Sequence, residues 1–176
     1  MRIRKDQCAA IVVDYQERLM PVMTNAEELT KRSAILLRGL RELGVPMCMT
    51  QQYTKGLGMT IVEIAEAIGT KEYIEKIEFS SYAAVLEQIK DKSHVIVCGI
   101  EAHICVLQTV IELQENGFIP VVVVDCLSSR NELDMKIALK RMKEEGAILT
   151  TSESILFELL ERAGTPVSKN IQNLIK

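Results

Sequence analysis

His94-Val95-Ile96-Val97-Cys98, then Gly99 to Asn116, then Gly117 and Ile119-Pro120-Val121-Val122-Val123-Val124, is the stretch that carries the reading of the fold. Its two short ends are apolar at consecutive positions, as expected of parallel strands covered on both faces. Between them Ala102 to Asn116 has helical spacing, and Gly117 stands where a helix stops. A strand, a helix and a second strand in this order form a right-handed crossover unit.

The same alternation extends in both directions along the chain. Further strands are expected at Cys8 to Val13, Val45 to Thr50, Tyr73 to Ile77 and Ala147 to Leu149. Helices are expected at Ala26 to Leu43, Thr60 to Ile68, Tyr82 to Ile89, Glu132 to Glu145 and Glu153 to Ala163, with Gly44 and Gly146 at two of their ends. Six strands separated by helices imply an α/β fold: a three-layer α/β/α arrangement around a Rossmann-like, six-stranded, mostly parallel sheet. The 176 residues compare with roughly 150 per domain, so one domain over 1–176 is expected.

Composition narrows the function. The chain is 48% apolar and 26% charged, with a net charge of -3 and no block of like charges. Such a chain lacks the positive field that nucleic acid or an anionic membrane attracts. No apolar stretch approaches the ~20 residues of a membrane span. Met1 to Asp6 is followed by only a short apolar run, which does not read as a cleaved secretory signal. Five cysteines, an odd number without a C-x-x-C pair, suit free thiols in a cytoplasmic setting.

Ligands of open parallel sheets bind beyond the carboxyl ends of the strands. The residues there are Asp14, Thr50 to Tyr53, Phe79, Gly99 to Cys105 and Asp125 to Arg130. Gly56-Leu57-Gly58 does not continue as a dinucleotide fingerprint, and no G-x-x-x-x-G-K occurs, so no nucleotide cofactor is implied. Cys105 falls in the first turn of the helix after the fourth strand, where the helix dipole favours a thiolate. Its neighbours Ile104, Val106 and Leu107 are apolar, and from composition alone a packing cysteine is the commoner outcome.

A nucleophilic thiol needs a base. His103 is about 200° around the helix from Cys105, and His94 lies ~15 Å away at the other end of its strand. Neither pairs with the thiol. Asp14 and Asp125 both follow strands, and position does not separate them; either could instead cap a turn or helix. Lys76 alternates with apolar residues, the pattern of an exposed edge strand. Buried beside a thiolate and a carboxylate, it would stabilise both.

Several segments together resemble the isochorismatase-like cysteine hydrolases, which include nicotinamidases. They are Val12-Val13-Asp14-Tyr15-Gln16, Thr50-Gln51-Gln52-Tyr53 with Gly56-Leu57-Gly58, Lys76 with Phe79-Ser80, Gly99 to Val106, and Asp125 to Arg130. The last of these, with Ala147 to Glu153 and Ile171 to Lys176, is most similar to the isochorismatase-domain-containing subgroup. The resemblance implies a triad of Asp14, Lys76 and Cys105, and prefers Asp14 over Asp125. It also implies a non-proline cis peptide between Ile100 and Glu101, with the backbone N–H groups of Glu101 and Cys105 forming an oxyanion hole. Gln16, Gln52, Tyr53, Phe79 and Tyr82 are the expected substrate-binding residues.

Nicotinamidases of this family bind a metal through Asp and His after the second strand. Thr50 to Lys55 contains no His here, so no metal and no cofactor are expected. The expected activity is hydrolysis of a small molecule, an amide before an ester or vinyl ether, by a self-associating protein, as a dimer or tetramer. The competing expectation is a catalytically silent interaction protein that keeps the fold.

Overall fold

Cys8–Val13 is buried at every position because it lies near the middle of a sheet with helices on both faces. In the computed structural model, which describes residues 1–176, it is β1, followed by β2 (Met47–Gln52), β3 (Ile74–Lys76), β4 (His94–Ile100), β5 (Ile119–Ser128) and β6 (Ile148–Thr150). All neighbouring strands are parallel, in the order β3-β2-β1-β4-β5-β6. The chain builds outward from β1 to β3, then crosses back to β4 and builds the other way. The strand order therefore reverses between β1 and β4, whose carboxyl ends form the crevice where such sheets hold ligands.

The helices are α1 (Ala26–Leu43), α2 (Thr54–Leu57), α3 (Val62–Ile68), α4 (Tyr82–Ile89), α5 (Leu107–Glu115), α6 (Glu132–Glu144), α7 (Ser152–Leu160) and α8 (Pro166–Ile175). One face of the sheet packs with Leu36, Leu37 and Leu40 of α1, Ile64 of α3, Ile155 of α7 and Ile171 of α8. The other packs with Val85 of α4, Val110 and Leu113 of α5 and Met142 of α6. Alternation along β1 decides this division: Ala10 and Val12 face the first group, Ala9, Ile11 and Val13 the second. No helix is long and apolar enough to cross a membrane.

The sheet is wholly parallel, where the sequence implied mostly parallel, and some boundaries move for identifiable reasons. β2 begins at Met47, not Val45, because Gly44 takes a left-handed conformation (φ 72°) and the Val45 N–H closes α1 on the Leu40 carbonyl. β5 runs to Ser128, past Val124, because its register with β4 slips between Val97 and Gly99. The helix expected from Ala102 starts as a π-helical turn, Ala102–Val106, before α5 begins. α8 was not anticipated, yet its signal is present: Pro166 in the first turn, and Thr165 and Ser168 in a reciprocal capping box.

Candidate active site

Each of the four strands β1 to β4 delivers a polar side chain to the crevice at or just past its end: Asp14, Gln52, Lys76 and Cys105. Asp14 follows β1 directly, with φ at 51°, and its N–H is held by the Thr50 carbonyl of β2. This conformation is tolerated by aspartate better than by most residues, and it turns a fully buried carboxylate back over the sheet end. Its Oδ1 accepts a hydrogen bond from Thr50 Oγ (2.8 Å) and its Oδ2 one from Lys76 Nζ (2.6 Å).

Lys76 ends β3 and is 3% exposed. The edge-strand pattern suggested a solvated lysine. Instead, its ammonium reaches inward to Asp14 and also donates toward Gln52 Oε1 (3.0 Å) and the carbonyls of Phe79 (3.0 Å) and Glu78 (3.3 Å). Those carbonyls are brought round by the turn after β3, so the side chain is buried with its charge fully solvated by protein.

Cys105 stands in the π-helical turn after β4. The Ile100–Glu101 peptide bond entering this turn is cis. The Glu101 carbonyl accepts from the N–H groups of Ile104 and Val106, and the Glu101 backbone favours the charged form of the Cys105 sulfur. Gly99 (φ 139°) makes the approach possible: a Cβ there would collide with the Val13 carbonyl of β1. The Cys105 thiol donates to Gln52 Oε1 at 3.3 Å, so Gln52 touches both Lys76 and Cys105.

The electrostatics correct one expectation. Burial first, and Asp14 next, push the Cys105 thiol from the ordinary 9.0 up to about 12; Lys76 and the Glu101 N–H oppose this without offsetting it. The sulfur therefore rests as a neutral thiol, not as the thiolate that a helix start would favour. The first turn is π-wound and buried, and the nearest anion is a carboxylate.

The other candidates separate clearly. Asp125 lies within β5 and accepts from Ser152 N (2.8 Å) and Ser152 Oγ (2.6 Å), securing the start of α7. His94 sits at the opposite end of β4, and His103 Nδ1 is hydrogen-bonded to Ser129 Oγ. The carboxylate of Glu101 holds Arg130 through its backbone N and Nε, all at 3.1 Å.

Of the expected substrate contacts, Gln52 lies at the centre, and exposed Tyr53 and Phe79 flank the Lys76 turn, tied to it by backbone hydrogen bonds. Gln16 is placed differently. Fully buried, its amide bonds the N–H and carbonyl of Gln52 and the carbonyl of Gly58, so it fastens the loop below the site. Tyr82 is half-buried and packs edge-on against Phe118, with ring centres 6.2 Å apart.

A chain of hydroxyls escaped the sequence reading. Thr50 Oγ is shared between Asp14 and Ser81 Oγ (3.2 Å), the Ser81 N–H donates to Thr109 Oγ (2.9 Å), and Thr109 Oγ donates to the Cys105 carbonyl (2.7 Å). No local sequence signal marks them, since each has a polar neighbour: Gln51 beside Thr50, Ser80 beside Ser81 and Gln108 beside Thr109. The segment after β2 does not fit a metal. Gln51 and Gln52 are neutral amides already bonded to protein partners, and no three His, Cys, Asp or Glu side chains converge. A cavity of about 250 Å³ lined by Met49, Gln51, Met59 and Val62 opens on the other face of β2 and does not reach Cys105.

Residues 8–154 match the family model described as the isochorismatase domain. Among curated relatives, isochorismatase domain-containing protein 2A of Mus musculus is 36% identical, across 99% of this chain and 85% of that protein. Isochorismatase domain-containing protein 1 of Danio rerio is 38% identical across 93% of this chain, which spans only 59% of that relative's length. Among solved structures, the MAR1 ribonuclease of Caenorhabditis elegans superimposes with a TM-score of 0.94 at 37% identity, covering 99% of this chain and 92% of that one.

Proposed function

The chain belongs to the isochorismatase family of hydrolases, and from that premise we propose that it hydrolyses a small carbonyl compound, an amide foremost, through a thioester on Cys105. The observation that carries this reading is the junction at Gln52 Oε1, 3.0 Å from Lys76 Nζ and 3.3 Å from Cys105 Sγ, with Asp14 2.6 Å from the same ammonium. A nucleophile, a base and a cation share one buried point.

In the proposed cycle Asp14 takes the Cys105 proton as the sulfur attacks the substrate carbonyl carbon. The oxyanion is met by the N–H groups of Glu101 and Cys105, and the Glu101 backbone already favours charge on the sulfur. Collapse expels the amine, which leaves with the proton held by Asp14, and a thioester remains. Water then attacks the thioester carbonyl and gives its proton to Asp14. Collapse releases the acid and returns that proton to sulfur. Lys76 keeps Asp14 oriented and balances its charge throughout, while Tyr53 and Phe79 border the substrate. No metal step is invoked.

A ribonuclease is named among the similar structures, but a polyanionic substrate finds little here. The net charge is -3 and the buried ammonium of Lys76 is already committed to four acceptors. The reading also includes a cytoplasmic location, supported by five free cysteines. It includes self-association as a dimer or tetramer, supported by exposed Leu133 and Ile137 one turn apart on α6.

The test is rapid acid quenching with small primary amides, esters and vinyl ethers, followed by mass spectrometry of the Cys105 peptide. An acyl adduct on that peptide and release of the free acid are expected. No adduct and no acid across all three classes would leave the catalytically silent interaction protein as the reading.

A further inference from the structure

Gln52 carries contacts that a substrate-binding residue would not need. Its Oε1 lies 3.0 Å from Lys76 Nζ and its Nε2 2.9 Å from the Ile77 carbonyl. Flipping the amide would set its NH2 against an ammonium and its carbonyl against another carbonyl, so the orientation is settled by chemistry. The backbone of Gln52 is equally fixed, with its N–H bonded to Gln16 Oε1 at 2.7 Å and its carbonyl to Gln16 Nε2 at 3.0 Å. The residue is 9% exposed, and its Nε2 is anchored on the Ile77 carbonyl.

A rigid acceptor therefore faces the sulfur. The two oxygens of Asp14 already accept from Thr50 and from Lys76, and the carboxylate lies close enough to the thiol to hold its proton as well. We infer that Gln52 is a positioning residue: its side-chain carbonyl is the resting acceptor of the Cys105 proton, held in that role by Lys76, and it adds to burial and Asp14 in keeping the nucleophile protonated until substrate arrives. The negative end of the amide dipole opposes a thiolate at 3.3 Å. Transfer to Asp14 then requires the S–H to rotate away from Gln52, which becomes favourable once a substrate carbonyl at the Glu101 and Cys105 N–H groups can accept the charge. The sulfur is thereby spared from oxidants and unrelated electrophiles that do not fill that hole. This role rests on the hydrolase reading for its purpose but not for its measurement.

The experiment is alkylation by iodoacetamide at pH 8.5, followed at the Cys105 peptide with the Cys48 peptide as internal reference. With Gln52→Met, Cys105 should react about tenfold faster relative to Cys48, equivalent to a drop of about one pH unit in the thiol's titration. With Gln52→Glu, which keeps a partner for Lys76 but adds an anion beside the sulfur, it should react more slowly than wild type. An unchanged ratio in both variants, or the opposite order, overturns the inference. Should Gln52→Met fail to fold, the infrared S–H band of the wild type, obtained as a difference against Cys105→Ala, decides independently. A hydrogen-bonded frequency is expected and a free S–H frequency overturns the proposal. Neither readout needs a substrate, so a missing acyl adduct with faster alkylation in Gln52→Met would remove the hydrolase and leave the placement of the proton standing.

Discussion

Lys76 Nζ lies 2.6 Å from Asp14 Oδ2, with side-chain exposures of 1% and 0%. Taking one member from a buried pair strands the other charge, at about 3 to 5 kcal/mol. Lys76→Met and Asp14→Asn should each destabilise the protein by about that much in urea denaturation and abolish turnover. The double variant should be less destabilised than the sum of the singles, yet equally inactive, and strict additivity would show that the pair is not coupled.

Cys105→Ala and Cys105→Ser should reduce hydrolysis at least about a thousandfold, since a nucleophile and its base act as one unit. Cys105 lies in the turn after β4 and belongs to no strand, so the unfolding free energy measured in urea should change by no more than about 1 kcal/mol. Preserved turnover in Cys105→Ala would remove the thioester step.

Alkaline pH should unfold the protein. Burial pushes Cys8 up to about 11 and Cys48, Cys98 and Cys105 up to about 12 from 9.0, and Cys126 is also raised well above it. Below pH 9 both folded and unfolded chains hold these protons. Above it the unfolded chain releases protons that the folded one keeps, so stability falls as pH rises from 9 toward 12. Each buried thiol adds up to about 1.4 kcal/mol per pH unit to that slope. Urea midpoints between pH 7 and 10 check this, and Cys98→Ala should flatten the decline.

The acid side has its own responder in His94. Its Nδ1 is bonded to Ser93 Oγ, its Nε2 is buried without a partner, and burial lowers its pKa below 6.5. Because the folded value is the lower one, its contribution is complete above about pH 6.5 and is lost as pH falls below it. His94→Phe should remove that part of the acid slope without loss of neutral-pH stability, since it deletes an unpaired polar atom. A steeper acid slope in the variant would count against this account.

Gly99→Ala should cost more than about 1 kcal/mol, because its φ of 139° and the Val13 carbonyl leave no place for a Cβ. Relief must come from separating β1 and β4, the strands that present Asp14 and the Cys105 turn. Loss of kcat should therefore exceed the loss of fold measured by circular dichroism.

The sheet was legible in the sequence because its central strands, such as Ile119 to Val124, are apolar at consecutive positions. The convergence at the crevice was less so. Periodicity marked Lys76 as exposed, since it reports the strand face and not the turn of Glu78 and Phe79 that supplies carbonyls to the ammonium. Asp125 looked equivalent to Asp14 because the slip between Val97 and Gly99, which draws Asp125 into β5, leaves no trace in local composition. The protonated state of Cys105 was hidden for a similar reason: a helix start is visible in sequence, whereas burial beside a carboxylate brought from β1 is not.

β3 is only three residues long and stands at the margin of the sheet, paired on one side alone. Short margins fray first, and this one carries the ammonium of the crevice. On warming, catalytic competence should therefore disappear at temperatures where far-ultraviolet dichroism still reports a native molecule, and cooling should restore it.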